Sequence, residues 1–247
     1  MLAIIGGSGL SRFASLEVTQ RKSLQTPYGE PSAPLSLGRI GGRPAVFLAR
    51  HGDDHRIAPH QVNYRANLWA LGECDPVGIV SVAAVGCIRA DLRPGDLVIP
   101  HQIIDYTWGR ASTYHEGPDS PVTHVDFTEP YDRALRRRLC AAAEAIGIAL
   151  GDSAVYAATQ GPRLETAAEI NRIERDGAGV VGMTGMPEAV LARELGIPYA
   201  AINVVANYAA GRGDGLAGIS LEAIHAVLGE SMHRVLAIIE RVLNDDD

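Results

Sequence analysis

Apolar positions fall into two kinds of run. Short blocks of Val, Ile, Leu and Ala, bounded by Gly, Pro or charged residues, occur at 2–7 (LAIIGG), 43–50 (RPAVFLAR), 77–86 (VGIVSVAAVG), 95–106 (GDLVIPHQIIDY), 177–183 (GAGVVGM) and 198–207 (PYAAINVVAN). Most lack polar alternation, which predicts strands covered on both faces. Between them, helical patterns cover 59–73, 130–147, 165–177, 186–197 and 220–243, the last with three- and four-residue apolar spacing and opened by Ser220 with a glutamate close behind. The alternation predicts an α/β fold with a largely parallel or mixed central sheet and helices on both sides. Ligands in such sheets gather where strands end. Segment 106–130 has no periodicity yet carries aromatics and two histidines, so it is expected to be a lid, a binding loop or an interface arm.

Composition narrows this picture. A chain of 247 residues, 47% hydrophobic and 21% charged, fits one domain spanning 1–247. The net charge of -7 offers no basic footprint, so nucleic acid and membrane surfaces are not expected partners, and small molecules or copies of the chain are. Three cysteines without C-x-x-C spacing suggest a reducing compartment. The opening is apolar for only five residues before its glycines, too short for a signal or a span, and a cytoplasmic protein is expected. The acidic NDDD at the end is the one low-complexity stretch.

Candidate chemistry collects at the strand ends. The first strand runs into GGSGLSR (6–12), where glycines let an anion approach the backbone and Ser8 can donate; a tight turn is the alternative, and neither a G-x-G-x-x-G nor a Walker pattern is present. In ARHGDDHRIAPHQVNY (49–64), Arg50 and His51 form a natural oxyanion clamp with His55 nearby. A metal is the competing reading for His51, Asp53, Asp54, His55 and His60, without H-E-x-x-H spacing or a Cys/His set to support it. Ala83, Ala84 and Gly86 are small enough for a ligand to lie on the backbone, or serve tight packing. Thr184 is either a phosphate donor or a helix N-cap. Glu165 either favours a helix dipole or accepts from a ligand N–H. In INVVANYAAG (202–211), Asn207 finishes a turn or reads a ligand edge, and Asn203 is read as structural. No Ser/His/Asp order, reactive-cysteine context or carboxylate pair stands out. What remains is a set of anion donors beside neutral and acidic edge readers, which suggests a phosphate held against a heterocycle.

The chain resembles the trimeric purine nucleoside phosphorylase and methylthioadenosine phosphorylase family. The resemblance is carried by IIGGSGL, ARHGDDHRIAPHQVNYRANLWAL, LRPGDLVIP, QGPRLETAAEI and GMTGMPEAVLARELGIPYAAINVVANY, in the family's order over nearly the whole chain. It implies a mixed β-sheet with a distorted barrel flanked by helices, a homotrimer or dimer of trimers, and phosphorolysis of a purine nucleoside. Inorganic phosphate is then a co-substrate, and no metal or organic cofactor is required. By the family's motifs, Ser8, Arg50, His51, the Ala83 and Ala84 backbone and Thr184 fall at the phosphate, Met183 at the ribose, and Asn207, Tyr208 and Ala209 along the base. Arg50, His51 and Asn207 are the expected catalytic groups.

The same resemblance narrows the substrate. The methylthioadenosine branch carries Asp at the positions matching Asn207 and Ala209 and tends to carry Ser at Glu165, whereas 6-oxopurine phosphorylases carry Glu there. An amide has both donor and acceptor for a 6-keto purine, and Glu165 can accept from its N1–H. Leu164 departs from the Phe usual beside the base. Leu221 falls about where ordinary purine nucleoside phosphorylases place a 5'-hydroxyl-binding His, and an apolar group suits a methylthio substituent; the GRGDGLAG loop leaves this alignment open by a residue. His55 and, from a neighbouring subunit, His124 are expected to complete that pocket. These positions point to 5'-methylthioinosine, cleaved to hypoxanthine and 5-methylthioribose 1-phosphate. Inosine or guanosine and methylthioadenosine are the rival substrates, and a nucleoside-binding protein without catalysis is the rival class.

Overall fold

The computed structural model describes residues 1–10, 13–118, 120–213 and 218–244; the middle of GRGDGLAG and the end of the acidic tail lie outside them. At the centre is β1 (Leu2–Gly6), buried along its whole length. It lies parallel between β4 (Arg43–Ala49) and β5 (Gly78–Cys87). On the far side of β4, β2 (Glu17–Lys22) and β3 (Leu35–Ile40) extend the sheet antiparallel. β2 was not predicted: EVTQRK is almost wholly exposed and carries no apolar face to read.

β5 changes partner along one edge. Gly78–Ser81 pair with β1, and Gly86 and Cys87 pair antiparallel with β9 (Val180–Gly182). Between them, residues 82–85 have no strand partner on that edge among the described residues. The other edge is covered by β10 (Tyr199–Tyr208), parallel, with a bulge between Val205 and Asn207. The sheet therefore forks at β5. One branch continues through β9 to β8 (Val155–Ala158) and β7 (Gln102–Asp105), the other through β10 to β6 (Leu97–Val98). A bridge from Val98 to Gly151 links the branches again, closing a distorted ring. The single strand expected over 95–106 is thus two strands in different branches, separated at Pro100, which has no N–H for a ladder.

Among the described residues five α-helices cover the sheet, and side-chain caps set the starts of the first three. In α1 (Tyr64–Gly72), Asn63 accepts from Ala66 N–H at 3.1 Å, so the pattern expected from residue 59 begins as a separate 3-10 turn. Asp132 caps α2 (Arg133–Ala145), and Thr166 with Glu169 forms a capping box on α3 (Ala167–Arg175), which leaves Glu165 just outside the helix. α4 (Gly185–Glu194) starts with non-helical backbone at Met186 and Pro187. α5 (Leu221–Asn244) packs on β10 and α2 and buries Leu228, Val235, Ile239 and Val242. Segment 106–130 has no helix or strand among its described residues; Tyr114 seats it against Tyr28 and Trp69, while Trp108 and Val122 stay 72% and 85% exposed. No described helix is long and apolar enough to cross a membrane.

Candidate active site

The fork at β5 opens a cavity of about 500 Å³, lined by the unpaired stretch of β5 and by the ends of the strands around it. Leaving residues 82–85 unpaired on one edge frees backbone groups beside Ala83 and Ala84, and Arg50 already donates to Val82 O at 3.0 Å. Ser8, Arg50, His51 and Thr184 all reach this cavity. Gly7 cannot be larger: a Cβ there would lie 2.4 Å from Arg50 Nη1 and 2.6 Å from Val82 O. Thr184 is buried beside the start of α4 and makes no side-chain cap bond; its N–H donates to Tyr156 Oη at 3.2 Å and its hydroxyl lies against the same phenol, so the side-chain N-cap reading is not realised.

Arg50 differs from the open clamp expected of it. Its side chain is fully buried, Nε and Nη2 (3.1 Å) donate to the two carboxylate oxygens of Glu188, and Nη2 also donates to Ser81 Oγ at 2.6 Å. Burial alone would lower the Arg50 pKa, but the Glu188 carboxylate outweighs it and holds the guanidinium protonated. Glu188 accepts from Ser81 Oγ at 3.0 Å and from Tyr199 Oη at 2.9 Å as well. One positive and one negative charge are therefore locked together beneath the anion donors. Sequence reasoning missed Glu188 because a carboxylate in the first turn of a helix is ordinary.

His51 also changes role. Its Nδ1 donates to Ile57 O at 2.8 Å, leaving Nε2 of the neutral ring as an acceptor. Burial, and then the Arg50 charge, push its pKa down to about 4. In this state Nε2 can accept from a ligand hydroxyl such as a P–OH, or donate once a bound anion has drawn a proton onto it. Between about pH 4 and 6.5 the unfolded chain binds more protons at this residue than the folded one, so stability falls as pH drops through that window, by about 3 kcal/mol at most. Urea midpoints measured from pH 7 to 4.5 should fall more steeply for wild type than for His51→Gln; equal slopes would contradict this environment.

On the base side, Glu165, Leu164, Asn207 and Ala209 line the cavity. Thr159 Oγ1 donates to Glu165 Oε1 at 2.6 Å, which fixes the carboxylate and leaves Oε2 for a ligand donor. Asn207 Nδ2 donates to Tyr208 O at 2.7 Å, leaving its second hydrogen and Oδ1. Tyr208 does not reach the cavity. Its ring lies against Gly213 instead, so close that a Cβ there would stand 2.7 Å off. Met183 lies between the two halves, with Gly161 so near that a Cβ would sit 2.5 Å from its sulfur.

The last part of the wall is mixed. Leu221 lines the rim, 66% exposed, and Ile219, Ile224 and His225 join it. His225 was not singled out from the sequence, where a helical histidine gives no distinguishing signal. His55 lies against His51, the ring centres 4.7 Å apart and the planes tilted by 51°, and its Nε2 is 3.4 Å from Ser8 Oγ. Burial, followed by His225 and Arg50, lowers its pKa. Of the residues in the metal reading, Asp53 is paired with Arg21 at 2.6 Å and Asp54 with Arg56 at 3.8 Å. No group of three or more His, Cys, Asp or Glu gathers among the described residues. His124 is exposed in the long loop, outside the cavity of its own chain.

The arrangement thus offers anion donors against one wall and a base-sized edge with one acceptor and one amide against another. Known proteins resemble this chain along most of its length. "Probable S-methyl-5'-thioinosine phosphorylase" of Pseudomonas syringae pv. tomato is 50% identical over 242 residues, covering 98% of both chains. The 6-oxopurine nucleoside phosphorylase of Pyrococcus furiosus is 46% identical over 215 residues, covering 85% of this chain and 80% of its own. Among solved structures, methylthioadenosine phosphorylase from Schistosoma mansoni in complex with adenine superposes with a TM-score of 0.94 at 31% identity, over 98% of this chain and 90% of that one. Residues 1–244 match the phosphorylase superfamily, and with a cavity built at the fork of its sheet the chain belongs to that family.

Proposed function

We propose that the chain phosphorolyses S-methyl-5'-thioinosine to hypoxanthine and 5-methylthioribose 1-phosphate. The observation that carries the reading is the base edge: Glu165 Oε2 is free to accept from N1–H, and Asn207 keeps one N–H for O6 and Oδ1 for a protonated N7. Relatives named for this substrate, such as the Pseudomonas syringae protein, support it. A phosphate oxygen bonds to C1' as the C1'–N9 bond breaks, and the electron pair leaves on the purine. Positioning the anion and relieving charge on the base lower the barrier, the latter by about 3 kcal/mol for one well-placed group. Ser8, Thr184, the freed β5 backbone and Arg50 serve the phosphate, Met183 the sugar. Phosphate is the co-substrate, and the chemistry needs no further cofactor.

A second reading, a 6-oxopurine nucleoside phosphorylase acting on inosine or guanosine, is favoured by His55 and His225 in the wall and by the Pyrococcus furiosus relative. Chromatography of products tests the reaction: hypoxanthine must appear from methylthioinosine with phosphate and be absent without it. Release that ignores phosphate would mean hydrolysis and sink the proposal. We also retain the homotrimer, with His124 of a neighbouring copy at the rim; the exposed Trp108, Val122, Leu164 and Leu221 suit a surface that another copy covers. A monomer by light scattering at working concentration would contradict it.

A further inference from the structure

The long loop 106–130 contributes one side chain that reaches beneath both halves of the cavity. Arg110 Nη1 donates to Met183 O at 2.8 Å and Met186 O at 2.6 Å. Its Nη2 donates to Thr159 O at 3.2 Å and Gln160 O at 2.8 Å, and Nε donates to Gln160 Oε1 at 3.2 Å. The guanidinium sits over the Tyr64 ring, 5.4 Å from its centre. All five N–H groups are engaged, four of them with backbone carbonyls. Those carbonyls belong to two separate turns. One, 159–165, carries Glu165 and Leu164 on the base side; the other, 183–186, carries Met183 and Thr184 and leads into Glu188, the partner of Arg50.

We infer that Arg110 is a positioning residue for the proposed phosphorolysis, fixing the spacing between the base-reading turn and the turn that serves sugar and phosphate. The inference rests on the function proposed above. Phosphate and base must lie on opposite sides of one carbon, so the rate depends on the distance between the two turns, while binding to either turn alone does not. A misplacement of about 1 Å costs on the order of 10²-fold in rate. Lysine cannot substitute: three donors on a point charge do not reproduce a planar fork that spans four carbonyls.

The test compares wild type with Arg110→Ala and Arg110→Lys in phosphorolysis of methylthioinosine, with Tm measured for each. The expected result is a kcat lower by about 10²-fold in Arg110→Ala, little recovered in Arg110→Lys. Calorimetric affinities for phosphate alone and hypoxanthine alone should stay within about threefold of wild type, since each half-site survives. Guanidinium chloride at non-denaturing concentration should restore part of the Arg110→Ala rate, which a merely destabilised fold would not show. Variants that keep kcat per folded molecule within about twofold of wild type, or that lose rate and both affinities in step with Tm, overturn the assignment to Arg110 alone. A wild type inert toward every purine nucleoside overturns the functional reading and this inference with it.

Discussion

Replacing Glu188 by alanine is expected to destabilise the fold by about 3–5 kcal/mol and to abolish phosphorolysis. The size follows from what the change strands. Arg50 is fully buried and spends three of its contacts on Glu188 and Ser81, so removing the carboxylate leaves an uncompensated charge in the interior. Ser81 and Tyr199 also lose their shared acceptor. A double variant, Arg50→Met with Glu188→Leu, separates the two consequences. Removing both charges together should recover part of the lost stability, because a buried ion pair is often no better than apolar residues of similar volume. It should recover no activity, because the guanidinium beneath the phosphate donors is gone. Urea unfolding and initial rates on the three proteins decide it: a Glu188→Ala protein as stable as wild type would show that Glu188 does not balance the buried Arg50 charge.

Asn207→Asp should reverse the choice of base. An ionised carboxylate has no donor for O6, so a 6-oxopurine is left with an unpaired acceptor costing about 1–3 kcal/mol, or about 5- to 150-fold in kcat/KM for methylthioinosine. Methylthioadenosine, whose exocyclic amine donates, should gain. The same substitution sets a carboxylate oxygen against the Tyr208 carbonyl in place of the present 2.7 Å hydrogen bond, so a stability loss of about 1 kcal/mol is expected beside the kinetic change. Unchanged selectivity between the two nucleosides would remove Asn207 from base recognition.

The strands legible in the sequence were those whose burial leaves an uninterrupted apolar run: β1, β4, β5, β9 and β10. β2 was illegible because an exposed edge strand has no face to hide, and β8 because VYAA is four residues among turn formers. The site was legible wherever a polar group stands at the end of such a run, as Ser8, Arg50, His51 and Asn207 do. It was illegible where function depends on a partner far away in the chain. Glu188 meets Arg50 across 138 positions, and nothing local distinguishes it from a helix-start carboxylate. Arg110 lies in an aperiodic loop, where only the fold shows that four carbonyls converge on it. The protonation of His51 was hidden for the same reason, since it follows from the Ile57 carbonyl and from burial beside Arg50.

The proposed substrate joins a 6-oxopurine base to an apolar 5' group, and one measurement addresses both halves. Values of kcat/KM are to be determined side by side for methylthioinosine, inosine and methylthioadenosine at saturating phosphate. Methylthioinosine should exceed inosine by about 10- to 200-fold, the range that one apolar group commands in a pocket. It should exceed methylthioadenosine by at least about 5-fold, the lower bound for an unpaired base edge. Inosine turning over faster than methylthioinosine, or methylthioadenosine turning over as fast, would contradict the assignment.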